Sequence, residues 1–287
     1  MPELPEVETV ARLVRPSLLG RTITGAHVSW ARSLGGLPRP RFARAVVGAR
    51  VASVGRRAKF VRVALERGGA PAGELLVHLR MTGRLHVELP GDGPREHVRV
   101  ALDLDDGRRL FFVDARKFGR FTFTDDPERK LAGLGPEPLG SDFTPERLLA
   151  GLRARRRLLK PLLLDQTFVA GLGNIYADES LFRARLHPLV RSDRVSPRKA
   201  RALHAAIRET LERAIAREGS SFDAFYRTPE GRPGGYQDEF QVYGRDGEPC
   251  LRCGRTLVRI VVGQRGTHLC PRCQVRPRGT TLESRPS

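Results

Sequence analysis

Val98-Arg-Val-Ala-Leu-Asp-Leu-Asp-Asp-Gly-Arg-Arg-Leu-Phe-Phe-Val113 repeats with a period of two. Val98, Val100, Leu102 and Leu104 alternate with Arg99 and Asp103. That spacing puts one set of side chains on each face of a strand. Asp105-Asp106-Gly107 then supplies a hairpin turn before Leu110–Val113. The same period extends outward in both directions. Val61, Val63 and Leu65 alternate with Arg62 and Glu66, and Leu75, Val77 and Leu79 with Leu76, His78 and Arg80. Phe121 and Phe123 continue it. Short strands and short turns across residues 45–125 predict an antiparallel sandwich or barrel.

On the N-terminal side the period changes. Val7, Val10 and Val14 make one apolar helical face over residues 4–15, with Pro5 suited to a first turn and Pro16 expected to end it. On the other side, Gly133, Gly135, Pro136, Pro138 and Gly140 mark a linker over 133–143. Helical signals follow. Thr144-Pro145 and Ser196-Pro197 are N-caps followed by first-turn prolines. Leu203, Ile207, Leu211 and Ile215 form a stripe that ends at Gly219. Two further helices are expected around the turn Ala170-Gly171-Leu172-Gly173, and a Gly-, Ser- and Pro-rich loop over 219–237. The expected organisation is a sandwich domain over 1–132, a helical domain over 144–244, a cysteine module over 245–275 and a disordered tail over 276–287.

The chain has 287 residues, 51 Lys and Arg against 32 Asp and Glu, and a formal net charge of +19. Such an excess favours a polyanionic partner, nucleic acid before an anionic membrane surface. A 40 % hydrophobic content supports packed cores and argues against whole-chain disorder. No stretch approaches the ~18 apolar residues of a membrane span. The acidic opening has no apolar signal-peptide core, so a reducing cytosolic setting is expected.

All four cysteines fall in Cys250-Leu-Arg-Cys253 and Cys270-Pro-Arg-Cys273, separated by 16 residues. This is the spacing of one structural four-sulfur zinc site; two disulfides are the alternative, which a reducing setting disfavours. Eight arginines against the single Glu283 follow from position 250 onward, as expected of a hairpin pressed on nucleic acid. Arg265, in Gly263-Gln264-Arg265-Gly266, is placed to grip a phosphate or enter a groove. At the other end, Pro2 would be a secondary amine once Met1 is removed. An α-amino group titrates near ~7.7–8.0 and can be a neutral nucleophile at cell pH, with Glu3 beside it as acid or base. The residues alone leave catalysis and a plain helix start both open.

Met1-Pro-Glu-Leu-Pro-Glu-Val-Glu-Thr9 resembles the opening of the bacterial formamidopyrimidine-DNA glycosylases, which act on 8-oxoguanine. Further matches follow in the family's order: Arg56-Arg-Ala-Lys-Phe60, His78-Leu-Arg-Met-Thr-Gly83, Asp114-Ala-Arg-Lys-Phe-Gly119, Leu134-Gly-Pro-Glu-Pro-Leu139, Gly171-Leu-Gly-Asn-Ile-Tyr-Ala-Asp-Glu-Ser180 and Val242-Tyr-Gly-Arg-Asp-Gly-Glu-Pro-Cys250. With the cysteine pairs they span residues 1 to about 274.

The resemblance implies an α+β, multidomain protein: an antiparallel β-sandwich with an N-terminal helix, a helix–two-turn–helix domain and a zinc-finger β-hairpin. It implies a monomeric bacterial enzyme of the nucleoid that removes oxidised purines from damaged duplex DNA and cuts the strand by β- and δ-elimination. Pro2 would attack C1′, Glu3 would protonate the sugar or leaving group, and Lys59 and Arg265 would assist. His78, Asn174, Tyr243 and Arg265 match phosphate-gripping positions. Met81, Arg116 and Phe118 match residues that fill the gap left by the extruded nucleotide. Residues 219–237 match a lesion-covering loop. Ala115 and Lys117 stand where many members have Pro and Arg, and Glu218-Gly219 replaces a usual Gly-Gly. The alternatives are the related endonuclease VIII branch for oxidised pyrimidines, which opens Pro-Glu-Gly rather than with Leu4, and a non-catalytic DNA-binding relative.

Overall fold

The computed structural model describes residues 1–94, 96–222 and 226–277. The expected tail disorder, from residue 278 on, lies outside the described residues, as do Asp223, Ala224 and Phe225 of the loop. Two compact units emerge: Met1–Gly133 with Ala214–Gln237, and Leu134–Arg213 with Asp238–Ser287.

The first unit begins with α1 (Leu4–Leu18), whose Val7, Val10, Val14 and Leu18 are buried. The helix runs through Pro16, where the sequence predicts its end. So close to the C-terminus the ring sacrifices only the bond back to Arg12, and Leu18 still reaches the core. There follow β1 (Ile23–Val28), α2 (Arg39–Val46), β2 (Arg50–Arg57), β3 (Phe60–Arg67), β4 (Ala70–His78), β5 (Gly83–Glu88), β6 (Val98–Leu104), β7 (Arg109–Asp114), β8 (Arg120–Thr124) and α3 (Pro127–Leu131). The strands form two antiparallel four-stranded sheets, ordered β1-β6-β7-β5 and β2-β3-β4-β8. The alternating residues read from sequence, among them Val61, Val63, Leu75, Val77, Val100 and Leu102, form one core with α1. Tyr226 packs into that core, which explains why the segment from 214 to 237 groups with the sandwich.

The second unit contains α4 (Pro145–Ala154), α5 (Leu159–Leu164), α6 (Asn174–Arg183), most of α7 (Pro197–Ala216), and a hairpin of β9 (Val258–Val262) and β10 (Arg265–Leu269). Both expected caps are present: Thr144 Oγ1 accepts from Arg147 N–H at 3.2 Å and Ser196 Oγ from Lys199 N–H at 3.3 Å. Between α5 and α6 the chain makes a double turn fastened by Gln166. Its Nε2 donates to the Leu164 and Leu172 carbonyls at 3.0 and 2.8 Å, and its Oε1 accepts from Gly171 N–H at 2.9 Å. Gly263, in the β9–β10 turn at φ 57, has Pro161 Cγ 3.0 Å from where a Cβ would stand, so any larger residue there would be strained and crowded. Among the described residues no helix is long and apolar enough to cross a membrane.

Candidate functional site

The first unit builds its site from the N-terminus of α1. Pro2 and Glu3 are buried. Glu3 caps the helix in a capping box with Glu6, whose Oε2 accepts the Glu3 N–H at 2.7 Å. The other oxygen of Glu6 accepts the Ser220 N–H at 2.8 Å. One buried carboxylate therefore sets both the Pro2–Glu3 start and the beginning of the 219–237 loop. A side chain at Gly219 would disturb this point: its φ is 79, and a Cβ would stand 2.7 Å from Glu6 Oε1. Glu218, at φ 58 where glycine is at ease, is held by an ion pair with Arg232 at 3.0 Å. Farther along, the Pro229 carbonyl meets His86 Nδ1 at 3.1 Å, so that nitrogen carries the proton. The loop is thus docked on the sandwich at Glu6, at Tyr226 and at His86.

Lys59 occupies the two-residue β2–β3 turn, after Ala58 in the left-handed region at φ 51. Its side chain is 6 % exposed. His78 ends β4, opposite Phe60, whose ring meets the imidazole edge-on at 4.8 Å. Burial pushes the His78 pKa down to about 3, helped by the charges of Arg80, Lys59 and Arg120. Its Nδ1 accepts the Arg80 N–H at 3.1 Å, which leaves the proton on Nε2. His78 is therefore a neutral donor, not a cation.

Met81 lies in the β4–β5 turn, half-buried, as its position after the strand suggests. Arg116 and Phe118 lie in the β7–β8 turn; Phe118 is 48 % exposed, and the Arg116 guanidinium stands 4.9 Å from its ring. A large aromatic left out of the core in a turn is available for contact with a ligand. Fully buried Asp114 joins the two turns. One carboxylate oxygen bonds Thr82 Oγ1, and the other accepts Gly119 N–H at 2.6 Å. Thr82 Oγ1 in turn accepts Arg116 N–H at 3.3 Å. Met81 from one sequence block and Arg116 and Phe118 from another thus stand on one hydrogen-bonded scaffold.

In the second unit, Asn174 opens α6, with Gly173 as the N-cap. Its amide donates across to the Gly266 carbonyl at 2.9 Å and to Tyr243 Oη at 3.4 Å. Tyr243 packs against His268 at 4.8 Å. Arg265 is exposed and is the first residue of β10, just past the turn rather than within it. Sequence reading passed over the groups that hold this cluster. The Lys160 ammonium and Asp178, both fully buried, pair at 2.6 Å. Lys160 also donates to the Asn174 carbonyl at 2.9 Å, while Asp178 accepts His268 N–H at 2.9 Å. Glu179 accepts the backbone N–H groups of Gln241, Val242 and Tyr243 at 2.9–3.1 Å. Burial pushes its carboxyl pKa up while those donors oppose the shift. The signal available in sequence was Asp178-Glu179 inside an apolar helix, where carboxylates are rare unless partnered.

The sulfurs of Cys250, Cys253, Cys270 and Cys273 lie within 4.8 Å of one another. Four thiolates at ~2.3 Å from one zinc stand about 3.8 Å apart, so the donor set fits a closed tetrahedral site with no open position. The protein binds one structural zinc there.

Family models match three stretches of the chain: the formamidopyrimidine-DNA glycosylase N-terminal domain over residues 1–121, the H2TH domain of the same enzymes over 134–225, and a zinc finger found in FPG and IleRS over 247–275. A formamidopyrimidine-DNA glycosylase of Chloroflexus aurantiacus is 50 % identical over 283 residues, covering 96 % of this chain and 98 % of its own. The crystal structure of the MutM (Fpg) protein of Thermus thermophilus matches with TM-score 0.83 and 45 % identity, covering 95 % of this chain and 98 % of that one. A Lactococcus lactis Fpg in complex with DNA containing N7-benzyl-Fapy-dG matches with TM-score 0.86 and 36 % identity, over 96 % and 100 %.

Proposed function

Because the chain belongs to the formamidopyrimidine-DNA glycosylase family, the DNA glycosylases of base excision repair, we propose that it excises oxidised purines, 8-oxoguanine and formamidopyrimidines, through a Schiff base on Pro2 and then cuts the strand. The carrying observation is the buried Pro2–Glu3 start, fixed by the Glu6 carboxylate. With Met1 removed, the Pro2 nitrogen attacks C1′ of the damaged nucleotide, and the base leaves with the C1′–N bond electrons and takes up a proton. Glu3 gives a proton to the sugar ring oxygen, the C1′–O bond breaks, and an iminium ion remains on Pro2. Loss of a C2′ proton then expels the 3′ phosphate, and a second elimination expels the 5′ phosphate. Hydrolysis of the iminium frees the sugar remnant and regenerates the amine.

Lys59 and Arg265 serve the elimination steps by neutralising phosphate charge. His78, as a neutral Nε2–H donor, joins Asn174, Tyr243 and Arg265 as contacts to the DNA backbone. Met81, Arg116 and Phe118 fill the gap, and residues 219–237 cover the extruded base. The protein works as a monomer on damaged duplex DNA at the bacterial nucleoid. Borohydride trapping on a duplex with 8-oxoguanine opposite cytosine tests this, beside Pro2→Gly and a dihydrothymine duplex. A covalent adduct on the purine lesion, lost in Pro2→Gly, is expected. Trapping only on dihydrothymine would assign the protein to the pyrimidine branch. Tight lesion binding without any adduct would make it a non-catalytic relative.

A further inference from the structure

Trp30 is the chain's single tryptophan. It directly follows Ser29 after β1, and its ring carries the Lys117 ammonium 4.4 Å from the centroid. The Arg32 guanidinium lies 5.6 Å from the same ring. Indole is the strongest side-chain partner for a cation. Lys117 is flanked by Arg116 and Phe118, and its own backbone is left-handed at φ 60. That conformation disfavours a residue with a Cβ and persists only when the surroundings impose it.

A second set of contacts converges on the same place. The Ser29 and Trp30 N–H groups donate to the Arg99 carbonyl at 3.0 and 3.4 Å. The Arg99 guanidinium donates to the Asp114 and Ala115 carbonyls at 2.7 and 3.4 Å. The Trp30 backbone and the start of the turn are therefore fastened to one residue, and the indole–ammonium contact closes the ring of contacts at the turn's centre.

We propose that Trp30, acting through Lys117, is a positioning residue for the gap-filling turn. Its ring holds Lys117 in the left-handed conformation and so sets where Arg116 and Phe118 stand before the DNA arrives. The assignment rests on the reading above that these two side chains enter the gap. A turn already ordered loses less conformational entropy when it takes the place of the extruded base. The contact should therefore matter for extruding a paired lesion and not for one that already lies unpaired, where unstacking costs less.

The test uses the full-length zinc-loaded enzyme and duplexes carrying 2-aminopurine beside the lesion, whose fluorescence rises when the stack opens. Lys117→Met and Trp30→Leu should lower the single-turnover excision rate for a paired 8-oxoguanine by about fivefold and slow the fluorescence rise equally. On a lesion left unpaired in a bulge the same variants should stay within about twofold of the native rate. Lys117→Arg and Trp30→Phe, which retain a cation and an aromatic face, should recover most of the rate. Equal losses on both duplexes, failure of the conservative variants to rescue, or native rates throughout would each overturn the assignment. Native enzyme that excises the paired lesion with no 2-aminopurine rise would overturn the gap-filling reading and this assignment with it, while leaving the glycosylase activity standing.

Discussion

At the residue scale, the side chains that do the holding are buried charges, each matched to more than one partner. Glu6 serves the Glu3 and Ser220 N–H groups; Glu179 serves three consecutive N–H groups ahead of and including Tyr243. Lys160 and Asp178 are the most demanding case, since neither touches solvent. Removing one partner strands the other in a low-dielectric interior. Lys160→Met is therefore expected to cost about 3–5 kcal/mol, read as a lowered urea midpoint, and to loosen Asn174 and β10 together. Lys160→Met with Asp178→Leu should recover much of that loss, because no uncompensated charge remains. Equal midpoints for the single and double variants would refute a stranded-charge origin.

At the element scale, the β9–β10 hairpin carries the exposed Arg265 on a support fixed at both ends. The cysteine cluster anchors one end, and Gly263 packs against Pro161 of α5 at the other. Asp178 of α6 grips β10 between them through the His268 N–H. A guanidinium on such a support contributes to binding mainly by displacing counterions from phosphate. Arg265→Gln should weaken binding to all duplexes alike and reduce the slope of log binding constant against log salt by about one. A loss confined to one DNA sequence, with the slope unchanged, would mean that Arg265 reads bases. The β7–β8 turn belongs to a different unit and uses other means: Asp114 couples it to the β4–β5 turn, so Met81, Arg116 and Phe118 are set as a group.

At the scale of the whole molecule, the net charge of +19 explains attraction to a polyanion, whereas stability depends on which groups stay neutral inside. Burial lowers the pKa of His78 to about 3 and of His187 to about 4, and lowers that of His86 as well. The unfolded chain binds protons at these positions near pH ~6.5, while the folded protein does not. Stability is therefore full above that pH and falls as the pH drops through 6 toward 4, by at most ~1.4 kcal/mol per pH unit for each group. Thermal unfolding of the zinc-loaded protein at pH 7.5, 6 and 5 should show midpoints decreasing in that order. A flat profile would show that these imidazoles protonate in the folded state.

Local chemistry was legible without coordinates. Period-two alternation over Val61–Val113 specifies strands because a pleat exposes alternate faces, and CxxC pairs specify zinc because a two-residue gap turns both sulfurs inward. Caps at Thr144 and Ser196 and the order of the motif blocks carried the fold, the family and the candidate residues. What needed the folded chain was every contact joining distant positions: Glu6 with Ser220, Asp114 with Thr82, Lys160 with Asp178, Trp30 with Lys117. The grouping of residues 214–237 with the sandwich, and the continuation of α1 through Pro16, belong to the same class. The contacts of Glu6, Asp114 and Lys160 depend on burial, which lowers the local dielectric and turns a polar side chain into one that must find a partner, whereas the exposed Lys117 meets Trp30 only because the fold brings two distant turns together. Burial is a property of the assembled core, and no short window of sequence contains it.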